Sequence, residues 1–130
     1  MSEPSYPEDL LYHAEHDWAR IDGDQATFGI TWFAQDSLGE VVFFDPPKVG
    51  TTVTKDAAYT EIESVKAVSD LISPLSGEVL EVNAKVVDAP ETVNEDPYGA
   101  GWLIRIRMTS PGERDQLLSL EAYRKVLDEQ

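Results

Sequence analysis

The stretch TEIESVKAVSD, residues 60–70, places one lysine, Lys66, between two acidic segments. No other lysine or arginine lies between Lys55 and Lys85. Lysine carries a compact positive charge on a flexible stem that ends in a primary amine. On these grounds alone the favoured interpretation is an ordinary solvated lysine, and the surrounding elements must show whether its solitary position has a purpose.

Two histidines with acidic neighbours have the residue types of a metal site or an acid–base pair: His13 and His16 stand beside Glu15 and Asp17. Residues three apart would share a helix face, but this segment precedes a strand and has no third clustered ligand. The pattern favours structural or surface roles, and we assign His16 no catalysis.

Other chemical motifs are weak. Ser64 and Ser69 have no histidine near them in the sequence, which disfavours a hydrolase. The segment NEDPYGAGW has neither the glycine spacing nor the lysine of a phosphate-binding loop. The chain has no cysteine, which excludes disulfides and thiolate metal sites. The protein therefore supplies no redox chemistry of its own.

The charge balance narrows the choice of partners. The chain has 25 acidic and 10 basic residues and a formal net charge of -15, which disfavours binding to nucleic acid or anionic lipid. The acidity either keeps the protein soluble or guides it toward basic partner surfaces. The start MSEPSYPEDLLY lacks a basic leader and no apolar run reaches ~20 residues, so we expect a soluble cytoplasmic protein.

The chain length of 130 residues predicts a single domain over residues 1–130. WLIRIRM predicts a half-buried strand with Trp102, Ile104, Ile106 and Met108 on one face and Leu103, Arg105 and Arg107 on the other. QATFGI alternates in the same way. GEVVFF is an apolar run typical of a strand that is covered on both faces.

Two segments have helical signals. TWFAQDSLG has Thr31 as a candidate N-cap and Gly39 as a candidate C-terminal stop. In the C-terminal segment, residues 110–130, Ser110 and Glu113 have the spacing of a capping box and Pro111 falls at the first helical position. We therefore predict a helix that begins there.

A short internal repeat frames the lysine. GEVVFFDPPKV (39–49) and GEVLEVNAKVV (77–87) align at an offset of 38 residues, which suits a small sandwich of two similar halves. Chain reversal at Lys66, between the copies, would pair residues 59–64 with residues 68–73 as a hairpin. The local turn signal is poor, because SVKAVS contains no glycine and no Asn-Gly.

The residues around Lys66 carry a resemblance to a known family. ESVKAVSD resembles the lipoylation motif of the glycine cleavage system H protein family. The match continues through YHAEHDW, GITWFAQDSLGEVVF, PLSGEVLEVN and VNEDPYGAGWLIRIR, in the family's order and spacing. It covers roughly residues 10–107, and the C-terminal tail is similar in length and character.

The resemblance implies a barrel-sandwich hybrid of the lipoyl and biotinyl carrier type, mainly β with short helices. Its β core would span residues 10–107 and its C-terminal helical segment residues 110–130. Lys66, at the hairpin tip, would carry lipoic acid in amide linkage. Five neighbours would form the context in which a lipoate ligase or octanoyltransferase recognises it: Glu63, Ser64, Val65, Ala67 and Asp70.

The implied function is a swinging-arm carrier, not an enzyme, in glycine catabolism and one-carbon metabolism. It would take the aminomethyl group of glycine from the pyridoxal-phosphate glycine decarboxylase (P-protein) to the aminomethyltransferase (T-protein). Dihydrolipoyl dehydrogenase (L-protein) would reoxidise the arm. By the same resemblance, a groove with Glu15, Asp17 and Asp70 would hold the cationic end of the loaded arm.

One residue departs from the family pattern. The residue after the family's histidine is usually glutamate, and this chain has Asp17, whose side chain is one methylene shorter. The alternative for Glu15 and Asp17 is that both are merely solvated.

Three other functions remain open at this point. The protein could donate its lipoyl group to the carrier domains of 2-oxoacid dehydrogenases, which also requires a modified Lys66. A biotin carrier is disfavoured, because Val65 and Ala67 flank Lys66 where such carriers usually have methionines. An unmodified β-domain that only binds partners is the plainest alternative.

Overall fold

The computed structural model describes residues 4–130, so the first three residues of the acidic N-terminal stretch lie outside it. Within this range the chain forms nine strands, four α-helices and one 3₁₀ helix. The strands are β1 (Leu11–Tyr12), β2 (Asp17–Asp22), β3 (Gln25–Ile30), β4 (Val41–Phe44), β5 (Thr52–Val53), β6 (Ala58–Ser64), β7 (Val68–Ile72), β8 (Gly77–Val82) and β9 (Ile104–Met108). The α-helices are α1 (Trp32–Leu38), α2 (Ala84–Asp88), α3 (Thr92–Glu95) and α4 (Leu120–Asp128), and the 3₁₀ helix is Pro111–Gln116.

The strands form two antiparallel sheets. The larger sheet has the order β1-β2-β3-β9-β8-β5, and the smaller has the order β4-β6-β7. The expectation of a mainly β protein with short helices and a C-terminal helix is confirmed. The longest helix in the described residues, α4, has nine residues, and none of these helices is long and apolar enough to cross a bilayer.

One apolar core joins the two sheets. Phe28 and Ile106 enter it from the larger sheet, and Val41 and Ile62 enter it from the smaller sheet. Burial of such side chains is the main favourable contribution to folding. The inner face of the smaller sheet therefore packs against the core, and part of its outer face is exposed to solvent.

A second buried cluster fixes the start of β2. Trp18 is fully buried, and its indole N–H donates to the Pro97 carbonyl at 3.0 Å. It pairs with Gly29 in β3, where any Cβ atom would overlap the indole ring. The rings of Tyr12 and Tyr123 stack with centroids 4.6 Å apart, which ties α4 to β1. The residue before Trp18 is thus held at a fixed position.

The strand predictions are only partly right. QATFGI forms β3 as predicted, and Ile104, Ile106 and Met108 are buried in β9. Leu103, predicted on the opposite face, is also fully buried. It lies before β9 begins, where its N–H donates to Phe28 and its carbonyl accepts from Asn83. Leu103 therefore does not follow the alternation of buried and exposed side chains that holds within a strand.

GEVVFF is not covered on both faces, as the sequence had predicted. Val42 is 48% exposed and Phe43 is 49% exposed. The strand β4 lies at the edge of the smaller sheet, and its pairing with β6 shifts between Val41 and Phe43. The apolar run therefore leaves half of its side chains on an open surface.

The two copies of the repeat lie in different sheets, β4 in the smaller and β8 in the larger. They diverge after the strand. Asn83 caps α2 by accepting from the Lys85 N–H at 3.1 Å, whereas no helix follows Asp45. The short helices α2 and α3 were not predicted from the sequence.

The first helix follows its local signals. The Thr31 hydroxyl accepts from the Ala34 N–H at 3.3 Å, as an N-cap does. Gly39 ends the helix with φ 85°, a conformation that favours glycine. Both predicted boundaries of α1 are confirmed.

The predicted helix start at Ser110 is wrong. Pro111–Gln116 forms only a 3₁₀ helix, and Ser110 makes no side-chain capping bond. Glu113 does not close a capping box, because its carboxylate instead accepts from the Ser76 N–H at 2.7 Å and the Ser76 hydroxyl at 2.8 Å. The α-helix begins after Ser119, whose hydroxyl accepts from the Ala122 N–H at 3.2 Å.

We predict that Ser119→Ala lowers the free energy of unfolding by about 1 kcal/mol, because it removes the N-cap of α4. Ser110→Ala should change it by less than about 0.5 kcal/mol, since Ser110 caps nothing. Urea denaturation of both variants measures the difference. A larger loss for Ser110→Ala than for Ser119→Ala would contradict this assignment of the cap.

Candidate functional site

Lys66 lies at the tip of the hairpin formed by β6 and β7. The two strands pair from Ala58–Ile72 up to Glu63–Val68. Residues 65–67 form the reversal, and Lys66 is exposed. The predicted hairpin is therefore present.

Ser64 closes this reversal without glycine. Its hydroxyl accepts from the Lys66 N–H at 3.2 Å and from the Ala67 N–H at 3.1 Å. Its own N–H donates to the Ala67 carbonyl at 2.8 Å. Serine turns of this kind replace backbone turn bonds, and a serine two residues before Lys66 was the available signal.

The tip rests on the end of α1. The Val65 N–H donates to the Glu40 carbonyl at 3.0 Å. A Cβ atom built on Gly39 would lie 3.1 Å from Lys66 Cε, so the lysine stem passes over a position without a side chain. The absence of a side chain at position 39 thus leaves a path for the stem.

The Lys66 ammonium makes no ion pair or hydrogen bond within residues 4–130. Lys55, the preceding lysine, contrasts with it: its side chain is 13% exposed and its ammonium lies 3.0 Å from the Asp56 carboxylate. Lys48, Lys85 and Lys125 are exposed like Lys66. Exposure alone therefore does not single out Lys66, whereas its position at a hairpin tip does.

The residues predicted to form the recognition context of Lys66 differ in burial. Ser64 is buried and shapes the turn, whereas Val65 is 66% exposed and Ala67 is also exposed. Glu63 pairs across the sheet with Phe43 on one side and Val68 on the other. The outer face near the tip thus has one carboxylate between two half-exposed apolar side chains.

A cavity of about 400 Å³ opens beside the tip, and we call it the tip cavity. The structure brings the three predicted groove carboxylates, Glu15, Asp17 and Asp70, together in its wall. The other lining residues, most of them not predicted, are His16, Ile30, Phe33, Ala34, Ser37, Leu38, Ile62, Ala67, Val68, Ser69 and Leu71.

Asp17 is not solvated, so that alternative is wrong for this residue. It is 4% exposed, and its Oδ2 atom makes no hydrogen bond within the part of the chain that the structure describes. Burial raises the pKa of the Asp17 carboxyl well above its ordinary value. The Ile72 backbone N–H opposes this rise, and the charge of Glu15 adds to it. Burial thus favours the neutral form of Asp17 more than it would at an exposed aspartate.

Glu15 and Asp70 complete the acidic wall from two other elements. Both are exposed. The Glu15 N–H donates to His13 Nδ1 at 3.0 Å, which fixes the backbone of the turn before β2. Asp70 pairs with Glu61 in the hairpin. One buried and two exposed carboxylates thus line the same space.

Both histidines make side-chain hydrogen bonds within the fold. His13 Nε2 lies 2.7 Å from an Asp56 carboxylate oxygen, and His16 Nδ1 lies 2.7 Å from the Tyr123 hydroxyl. Burial lowers the pKa of His16. No group of three or more His, Cys, Asp or Glu side chains that could hold a metal is present in residues 4–130.

A larger opening of about 640 Å³ lies on the other side of α1, lined by Gln35, Asp36, Gly39, Glu40, Glu91, Asn94 and Glu95. Its amides are already engaged. Asn94 donates to the Gln35 side chain at 3.0 Å and to the Gly39 carbonyl at 2.9 Å. The tip cavity, which holds the unpaired Asp17 atom, is the better candidate site.

The chain is similar to known proteins over nearly its whole length. Residues 10–130 match the family model described as Glycine cleavage H-protein. A glycine cleavage system H protein from Rubrobacter xylanophilus is 55% identical, over 95% of this chain and 96% of that protein. The one from Carboxydothermus hydrogenoformans is 48% identical, over 95% of each chain. The crystal structure of a glycine cleavage system H protein from Mycobacterium marinum has TM-score 0.85 and 44% identity, covering 92% of this chain and 97% of that one.

We predict that Ser64→Ala increases amide hydrogen exchange at Lys66 and Ala67 several-fold, because both N–H groups lose their acceptor. The variant should also lose about 1 kcal/mol of stability. Ser69→Ala, on the same hairpin but bonded only to the Asp70 carbonyl, is the matched control and should change neither quantity. Equal exchange at these two amides in both variants would show that Ser64 does not hold the tip.

We predict that Asp17→Asn unfolds with a higher free energy than the wild type at neutral pH. The raised folded-state pKa means that ionising Asp17 costs stability. That cost is absent below the unfolded-state pKa and grows as pH rises through the folded-state pKa. The advantage of the variant should therefore shrink toward pH 4, near the ordinary aspartate pKa.

Denaturant unfolding at several pH values measures this difference. Asp70→Asn, at an exposed carboxyl of the same cavity, corrects for the loss of one negative charge. A stability difference between Asp17→Asn and the wild type that does not vary with pH would contradict the prediction.

Proposed function

The chain belongs to the glycine cleavage H-protein family, and from this premise we propose that it is a lipoylated carrier of the glycine cleavage system. It takes the aminomethyl group of glycine from the pyridoxal-phosphate glycine decarboxylase to the aminomethyltransferase. The protein itself is non-catalytic and acts in the cytoplasm. The observation that carries this proposal is an unpaired lysine amine at an exposed hairpin tip, beside a cavity lined by carboxylates.

Lys66 is the proposed attachment site of lipoic acid, as an amide on its side-chain nitrogen. Three features support it: the tip is exposed, the Lys66 ammonium has no ion-pair partner in residues 4–130, and the Lys66 stem passes over Gly39, which has no side chain. When bound, the lipoyl group supplies the disulfide and dithiol chemistry that this cysteine-free chain lacks. The protein's own residues position the arm and shield its end.

A lipoate ligase or octanoyltransferase would recognise the tip through the groups that the hairpin presents. Val65, Ala67 and Asp70 are exposed, and Glu63 is partly exposed. Ser64 is buried, so its part in recognition is to hold the turn that presents Lys66. The enzyme would therefore recognise the conformation of the hairpin tip as well as its exposed side chains.

The tip cavity would hold the cationic end of the loaded arm. Glu15, Asp17 and Asp70 line it and can accept charge-assisted hydrogen bonds from an amine. Phe33 and Leu38 line the same cavity and exclude water from part of it. A cation in this space is attracted by the acidic wall and is less exposed to hydrolysis.

The proposed partners follow from the system to which the family belongs. They are the glycine decarboxylase (P-protein), the aminomethyltransferase (T-protein) and dihydrolipoyl dehydrogenase (L-protein). A net charge of -15 favours docking to basic surfaces on these enzymes. We assign the whole chain, 1–130, to one domain with a carrier core at 10–107 and a C-terminal helical segment at 110–130.

We predict that Lys66→Arg abolishes glycine cleavage in a reconstituted system with the three enzymes and a lipoylating enzyme. Arginine keeps the positive charge but offers no amine for amide formation. The free energy of unfolding should change by less than about 0.5 kcal/mol, because the position is exposed.

Lys85→Arg, at another exposed lysine, is the matched control and should keep full activity. Full activity of Lys66→Arg would refute the attachment site. A large loss of stability in Lys66→Arg would show instead that Lys66 is a structural residue.

A further inference from the structure

Two buried side-chain polar atoms make no hydrogen bond within residues 4–130: Oδ2 of Asp17 and the hydroxyl oxygen of Tyr59. Buried polar atoms are paired in the great majority of cases, so each exception calls for an explanation. Asp17 lines the tip cavity. Tyr59 belongs to β6, the strand that leads to Lys66, and it has no part in the function described above.

Tyr59 occupies an irregular position in its strand. The pairing of β6 with β7 shifts between Ala58 and Thr60, so Tyr59 is the extra residue of a bulge. Bulges re-aim a side chain and are common next to functional sites. The Tyr59 ring contacts Phe28 in the core, with centroids 6.3 Å apart, and its hydroxyl is buried.

Two observations place the hydroxyl near Asp17. Asp17 pairs with Ile30 in β3. The Tyr59 ring contacts Phe28, which lies two residues before Ile30 and therefore on the same face of the sheet. In addition to the larger effect of burial, the charge of Asp17 raises the pKa of Tyr59. Asp17 and Tyr59 therefore share one poorly solvated space between β2 and the hairpin.

Folding alone does not explain the hydroxyl. Phenylalanine would make the same ring contact with Phe28 without burying an unbonded hydroxyl, and burial of such a hydroxyl is unfavourable. The hydroxyl also stays protonated over the physiological range, because the pKa of Tyr59 lies well above its ordinary value. It can therefore act as a hydrogen-bond donor.

The other charged or titratable groups around the cavity do not take this role. Glu15 and Asp70 are carboxylates and only accept when ionised. His16 is already engaged with the Tyr123 hydroxyl. The residues that α1 contributes, Phe33, Ala34, Ser37 and Leu38, carry no charge.

We propose that Tyr59 is a positioning residue for Asp17: its hydroxyl donates a hydrogen bond to the ionised carboxylate when the cationic end of the arm enters the tip cavity. Entry of the cation favours the ionised carboxylate, and any proton that the carboxyl held passes to solvent. Asp17 then accepts from both the cation and Tyr59. The identity of the cation rests on the proposed function. The hydrogen bond from Tyr59 to ionised Asp17 should also form in the unmodified chain when Asp17 is titrated.

The decisive experiment is an NMR pH titration of the unmodified, full-length chain with ¹³C-labelled aspartate and tyrosine. Loss of a donor to a carboxylate destabilises its charged form. The titration midpoint of the Asp17 carboxyl should therefore rise by about one pH unit or more in Tyr59→Phe. An unchanged or lower midpoint overturns the proposal.

Tyr6→Phe is the matched control, because it removes a hydroxyl from the second buried cluster, which lies around Tyr123. It should leave the Asp17 midpoint unchanged. An equal rise of the Asp17 midpoint in Tyr6→Phe would mean that the rise reflects a general loss of packing and not the loss of a specific donor. That result would also overturn the proposal.

A second readout in the wild type covers the case in which Tyr59→Phe does not fold. The signal of the Tyr59 ring carbon that bears the hydroxyl should move at the same pH midpoint as the Asp17 carboxyl. Asp17→Asn should abolish this step. A Tyr59 signal that is indifferent to the ionisation of Asp17 overturns the proposal.

The functional consequence is measured on the lipoylated, aminomethyl-loaded protein. Tyr59→Phe should release the aminomethyl group about tenfold faster than the wild type at neutral pH, which corresponds to about 1.4 kcal/mol. Equal release rates in Tyr59→Phe and the wild type would show that Tyr59 does not help to retain the aminomethyl group. If the wild type cannot be lipoylated or loaded, the proposed function fails, and the titration still decides the relation between Tyr59 and Asp17.

Discussion

The antiparallel pairing of β6 with β7 is the constraint on which the rest of the site depends. It holds the ends of a three-residue reversal so close that Ser64 alone can satisfy the N–H groups of Lys66 and Ala67. The bond from Val65 to Glu40 then anchors the tip to the end of α1. A flexible lysine stem thus starts from a rigid base, which limits the arc that an attached arm can sweep. The same hairpin forms one wall of the tip cavity, so the two parts of the site cannot drift apart.

Electrostatics divides the site into a surface part and a buried part. Glu15 and Asp70 are exposed, and their charges act through solvent, where salt screens them. Asp17 is buried, and burial makes ionisation of its carboxyl unfavourable. Under the proposed function, the cationic end of the arm offsets this cost, so its binding is coupled to the charge of Asp17. The buried carboxyl can therefore favour an arm with a cationic end over a neutral one.

The sequence predicts most reliably the features that depend on neighbouring residues. The boundaries of α1 follow from Thr31 and Gly39, and the alternation in QATFGI predicts β3. Ser110 fails as a cap because Glu113 finds Ser76, a partner 37 residues away, which no local pattern encodes. Lys66 is found by resemblance to a family motif. The burial of Asp17 and the placement of Tyr59 depend on how β2 packs against the hairpin, so the sequence does not reveal them.

The central claim is that one amine, that of Lys66, carries the prosthetic group. Mass spectrometry of the protein purified from its native host, grown with ample lipoate, tests it most directly. We expect the intact mass to show one lipoyl amide per chain and peptide mapping to place that amide on residue 66. An unmodified chain under these conditions, or an adduct on Lys48, Lys55, Lys85 or Lys125, would contradict the account.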